Sequence, residues 1–234
     1  MFTAVDIEIA TEFGEDWRAQ RPLGITCAAT VTDDQPARLW HGSPNEGGWL
    51  APRMVPGEVL QLLHYLVQRT LEGDVVVGWN SCAFDLDVIG EEANAPALAA
   101  ALALRHVDMA FQMLCELGYM AGLGAVARGT GLGEKLMHGE DAPRRWKGTR
   151  EDQEAVLAYV AGDAELTAQV YRAVVKDHNL FWVTKSGARK VWQPTLIGNR
   201  MLTVVEANAL PLPDTSWMTR PRSRAECFAW ALGV

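Results

Sequence analysis

The chain has 234 residues, of which 49% are apolar and 21% charged; it can bury a full core and has the composition of a globular domain rather than a disordered chain. Its formal net charge of −8 argues against a protein that coats nucleic acid by bulk electrostatics. The charge is uneven: from residue 179 onward seven Lys/Arg stand against three Asp/Glu, leaving −12 on the first 178 residues. The opening MFTAVDIEIA has no basic start, and no apolar run approaches the length of a membrane span, so neither a leader nor an anchor is expected. Cys27, Cys82, Cys115 and Cys227 are far apart and form no paired metal spacing. A reduced, cytoplasmic chain without disulfides or structural zinc is expected.

Residues 2–9 and 23–32 read as strands, short, apolar and β-branched, and ARLWHG at 37–42 as a third. The Gly/Pro-rich stretch 42–57 reads as a loop, and Pro56 opens an amphipathic helix that Gly73 stops. VVVGW at 75–79 is an apolar run between turn signals, which predicts a buried central strand. A helix after Phe84, an alanine-rich helix at 96–104 and a short strand near 106–108 follow, then helices at 109–118 and 121–129 interrupted by glycine. The stretch 130–150 reads as a loop carrying the basic knot Arg144-Arg145-Trp146-Lys147, and helical spacing predicts a long helix over 151–177. Beyond it, LFWVTKSGARKVWQP reads as a hairpin turning at 185–188, followed by a short helix around 195–207, an extended proline-containing run and a last helix at 223–232. The expected organisation is a mixed α/β sheet flanked by helices over 1–178, with a C-terminal extension over 179–234.

Three short motifs carry chemistry. Asp6 and Glu8, two apart on a strand, present both carboxylates on one face. Asp85 stands just past a predicted central strand, where sheet proteins commonly place functional groups. Tyr159 and Asp163, four apart on a helix, share a face. Each motif alone has an ordinary structural reading: a solvated strand end, a turn with a helix-start aspartate, two helix residues. A sheet with the long helix packed across it would bring them together, and four carboxylates in one place suit Mg²⁺ or Mn²⁺ better than zinc. Two such ions about 3.5–4 Å apart can clamp a phosphodiester, and a tyrosine hydroxyl can hold the attacking water in line.

With these residues the chain resembles the DEDD superfamily of 3′–5′ exonucleases, which have a ribonuclease H-like fold, and within it the tyrosine subclass. The family motif D-x-E matches Asp6-Ile7-Glu8, N-x₃-F/Y-D matches Asn80, Phe84 and Asp85, and Y-x₃-D matches Tyr159 and Asp163. The histidine subclass would need a His at 158, where this chain has Ala. GLGAVARGTGLGEK at 122–135 is similar to the segment before the third motif in proofreading domains of family-B-like polymerases. The resemblance covers roughly residues 2–175. It implies that Asp6 bridges two ions, that Glu8 and Asp163 complete the tighter site, and that Asp85 holds the second ion. It also implies that Tyr159 orients the water and that Asn80 and Phe84 shape the pocket for the terminal nucleotide. The family often has Thr or a small polar residue after the glutamate, where backbone meets the 3′ end; here Ile9 stands there.

Asp87 and Asp108 read as structural, Asp108 as a helix cap. Among the tryptophans of the extension, Trp182 and Trp192, with Lys185 between them, are candidates for a platform on which bases stack, whereas Trp217 and Trp230 read as packing residues. The expectation is a freestanding Mg²⁺- or Mn²⁺-dependent exonuclease releasing nucleotides from single-stranded DNA, with a replication or repair protein as the candidate partner and no membrane. The alternatives are an RNase D-like trimmer of RNA 3′ ends, or an inactive module that binds nucleic acid.

Overall fold

In the segment FTAVDIEI every side chain but Asp6 is buried, and a strand enclosed in this way needs a packed layer on both faces. The computed structural model, which describes residues 1–12, 14 and 16–233, has this segment as β1 (Phe2–Ile9), inside a five-stranded sheet. β1 pairs antiparallel with β2 (Ile25–Thr32), and β2 with β3 (Arg38–His41). On its other side β1 runs parallel to β4 (Val75–Gly78), which runs parallel to β5 (Val107–Asp108), giving the order β3-β2-β1-β4-β5.

Odd residues of β1 (Val5, Ile7, Ile9) enter one core, formed with α1 (Pro56–Leu71), α2 (Asp85–Glu92) and α3 (Pro96–Arg105). α1 starts at Pro56, where the Glu58 carboxylate accepts the Val55 amide at 2.8 Å. Even residues Phe2 and Ala4 enter the second core, against α5 (Leu123–Thr130), α6 (Ala142–Trp146) and α7 (Arg150–Asp177). α4 (Met109–Leu117) closes the β5 edge and feeds Phe111 into the first core and Met113 into the second. Thr149 and Asp152 begin α7 with a reciprocal cap, the Thr149 amide donating to Asp152 at 3.0 Å and the Asp152 amide to the Thr149 hydroxyl at 3.2 Å.

Two expected segments differ. The stretch 130–150 is not all loop: a 3₁₀ turn at Gly139–Asp141 leads into α6, because Pro143 suits a first helical turn and Trp146 is buried, its indole donating to the Ala51 carbonyl at 3.0 Å. Around 195–207 the helix covers only α8 (Val204–Asn208), capped by Thr203; before it Gly198, at φ 60°, turns a small hairpin of β8 (Leu196–Ile197) and β9 (Arg200–Met201). The hairpin of β6 (Leu180–Val183) and β7 (Arg189–Trp192) and the last helix, α9 (Ala225–Leu232), form as expected.

Residues beyond 178 are part of both cores. Leu180, Trp182, Trp192 and Met201 join the α7 side, and Leu202, Val204, Cys227 and Phe228 the other. Gly129 makes the first contact possible, since a Cβ there would collide with the Trp182 backbone. The four cysteines are free and buried, and among the described residues no helix is long and apolar enough to cross a membrane.

Candidate active site

Asp6 and Glu8 continue the even face of β1, so they meet α7, which brings Asp163 to the same place. One carboxylate oxygen from each of Asp6, Glu8 and Asp163 lies within 4.8 Å of the others. Glu8 and Asp163 are buried and Asp6 half-buried. Tyr159, one turn before Asp163, is buried as well. Asp85 enters from the first turn of α2, outside the three-oxygen cluster but near enough to act on Asp6.

The second motif is held by Asp108. Its carboxylate accepts the Asn80 amide at 2.8 Å, the Cys82 amide at 2.9 Å and the Phe111 amide at 3.0 Å, so it caps α4 and also clamps the turn that leads to Asp85. Asn80 itself is left-handed, with φ 63°. Asp87 is structural too, paired with Arg21 at 2.7 Å.

Burial drives the electrostatics. Asp6 is pushed well above the usual carboxylate range by burial and then by Asp85, Asp163 and Glu8, with Lys135 pulling the other way. Burial, then Asp163, raises Glu8 to about 8, and burial raises Asp85 to about 7. Asp163 is also raised by burial, against the opposing pull of Lys135 and of hydrogen bonding with Tyr159. Burial and the neighbouring carboxylates raise the Tyr159 phenol, which therefore stays a proton donor at neutral pH. Such a cluster holds protons because it lacks countercharge. Lys135 supplies part of that charge: its ammonium lies 2.5 Å from Asp163 and over the Tyr159 ring at 5.2 Å, a cation among hard oxygen donors. The donor set fits divalent cations such as Mg²⁺ or Mn²⁺.

Asp6 and Asn80 line a cleft of about 370 Å³ with Trp79, Met120, Lys135 and Arg222. Phe84 is half-buried at the start of α2, edge-on to Trp17 with ring centroids 5.0 Å apart. Ile9 turns its side chain into the opposite core, at a shift in the β1–β2 register. The expected stacking platform is not formed: Trp182 and Trp192 are buried in the α7-side core, and the Trp192 indole donates to Glu116 at 2.7 Å. Lys185 is exposed at the hairpin tip and does not line the cleft. Of the extension's other tryptophans, Trp230 packs as expected, while Trp217 is exposed, its ring edge-on to Tyr119 at 5.9 Å and its indole donating to the Asp214 carbonyl at 3.2 Å.

Lys135, Arg222 and the clamping role of Asp108 were not legible as site features. Lys135 had one signal: it is the only Lys or Arg between Arg128 and Arg144.

No family model matches the chain, and no curated relative matches it. Its fold is similar to part of the solved structure of the family B DNA polymerase from the hyperthermophilic archaeon Pyrobaculum calidifontis, with a TM-score of 0.54 and 18% identity over 74% of this chain. The match covers 24% of the polymerase, so the chain spans about a quarter of that protein, and the likeness is one of fold.

Proposed function

We propose that this chain has a ribonuclease H-like fold and is a metal-dependent 3′–5′ exonuclease of the tyrosine subclass, acting on single-stranded DNA. The observation that carries this reading is the convergence of Asp6, Glu8 and Asp163 within 4.8 Å, with Asp85 and Tyr159 beside them. The fold likeness to a DNA polymerase supports DNA ahead of RNA. It also agrees with the motif resemblance to polymerase proofreading domains.

Asp6, Glu8 and Asp163 would hold one ion, and Asp6 with Asp85 a second. When bound, such ions make water a stronger nucleophile and offset charge on the leaving oxygen. Tyr159, still protonated and hydrogen-bonded to Asp163, would fix the attacking water by accepting a hydrogen bond from it. The Lys135 ammonium offers a countercharge to the scissile phosphate. Asn80 and Phe84 would border the terminal nucleotide. The water oxygen bonds to phosphorus, the bond to the penultimate 3′ oxygen breaks and that oxygen takes up a proton, so a 5′-mononucleotide departs. A replication or repair protein would be its partner in trimming such ends.

The test is a time course on 3′-labelled and 5′-labelled single-stranded DNA and RNA, with Mn²⁺, Mg²⁺ or EDTA. The expected result is a metal-dependent ladder shortening from the 3′ end of DNA, reduced about a thousandfold or more in Asp6→Ala and Asp163→Ala. Preferential digestion of RNA would replace DNA by the RNase D-like reading. No cleavage of either polymer by folded protein would leave a nucleic-acid-binding module.

A further inference from the structure

The C-terminal extension returns to the second motif from two sides. On one side the Trp230 indole of α9 donates to the Cys82 carbonyl at 2.8 Å. On the other, Arg222 Nη1 lies 3.4 Å from Asn80 Oδ1 and 3.5 Å from Met120 Sδ. The segment between is anchored by Arg224, whose guanidinium donates to four carbonyls: Asn208 at 2.9 Å, Leu210 at 2.6 Å, Pro211 at 2.6 Å and Cys115 at 2.8 Å. Pro221 restricts the backbone just before Arg222.

The two arginines therefore differ in kind. Arg224 spends its two Nη groups on backbone carbonyls and acts as a staple. Arg222 is exposed, and among the described residues its contacts are one long bond to an amide oxygen and one to a thioether, with no carboxylate in ion-pair range. A surface arginine is usually just solvated. This one lines the same cleft as Asp6, Asn80 and Lys135, on an anchored segment, in a molecule whose first 178 residues carry −12. A strand approaching that acidic body needs a local cation with free donors, and a guanidinium matches phosphate geometry.

We propose that Arg222 binds a backbone phosphate of the strand entering the cleft, so that the C-terminal extension supplies a substrate-positioning residue to a site built by the first 178 residues. This rests on the exonuclease reading above.

The test compares wild type, Arg222→Ala and Arg222→Lys in steady-state digestion of single-stranded DNA. Binding of 5′-fluorescent oligothymidine in Ca²⁺ is followed by anisotropy across a salt series. Arg222→Ala is expected to raise KM about tenfold while kcat stays within about twofold. The slope of log affinity against log salt should fall by about 0.7, the value of one single-strand phosphate contact. Arg222→Lys, which keeps the charge but not the fork, should recover most of the salt slope and part of KM. Unchanged KM and slope in Arg222→Ala, with an active wild type, would overturn this inference and leave the exonuclease reading intact. A wild type that neither binds nor cleaves would overturn the reading, and the Arg222 role with it.

Discussion

Val5, Ile7 and Ile9 on one face of β1 are buried among aliphatic side chains of α1–α3, whereas Asp6 and Glu8, on the other face of the same strand, meet a third carboxylate brought by α7. Both faces are packed, and the even face is apolar at Phe2 and Ala4, but at Asp6 and Glu8 it buries charge instead. Apolar burial on the odd face contributes to folding. On the even face, burial raises every carboxylate of the cluster, so that face stores a cost that cations would relieve. Local destabilisation of this kind is expected where geometry serves chemistry rather than folding.

The comparison can be broken or sharpened by substitutions on either side. The largest effect is the near-complete loss of cleavage in Asp6→Ala and Asp163→Ala, while the fold persists by circular dichroism. Next, on the apolar side, Leu63→Ala in α1 empties a fully buried position and should cost about 2–5 kcal/mol in urea unfolding. Its activity per folded molecule should stay near wild type, and a parallel loss of kcat would blur the division between the faces. Tyr159→Phe removes one hydroxyl beside Asp163 and should slow kcat roughly tenfold to a hundredfold, with Mn²⁺ affinity by calorimetry nearly unchanged.

A smaller effect is the pH dependence of the metal-free protein. Glu8 stands at about 8 and Asp85 at about 7, against ordinary values of 4.5 and 3.8. The folded state binds these protons more tightly than the unfolded chain. That contribution is complete below the ordinary values and is lost as pH rises through the folded ones. Melting in EDTA should therefore fall in temperature as pH rises from about 5 to about 8, and Mn²⁺ should flatten the fall. A profile in EDTA that rises with pH would contradict the electrostatic account.

Much of this was legible because it is local. Alternation in FTAVDIEI, the proline at the start of α1 and the helical spacing of Val156, Tyr159, Val160 and Asp163 give elements whose faces follow from period alone. What was hidden depends on long-range packing. Trp182 reads as an exposed arm of a hairpin until Gly129 lets α5 lie against its backbone. The basic knot at 144–147 reads as loop until Trp146 is seen buried beneath it. Lys135 lies in a stretch without periodicity, and no spacing in the sequence ties it to Asp163. Arg222 and Arg224, two residues apart in one polar run, look alike until the fold gives one of them four carbonyls.

The central claim is that the even face of β1 gives up stability to hold cations, and thermal melting of wild type and Asp6→Asn at pH 8, each in EDTA and in millimolar Mn²⁺, tests it most directly. The account predicts a crossover. In EDTA the variant should be the more stable, because it no longer buries a carboxylate among carboxylates. In Mn²⁺ the wild type should melt higher, because it binds the ions more tightly. A wild type that melts above the variant in EDTA, or that does not respond to Mn²⁺, would contradict it.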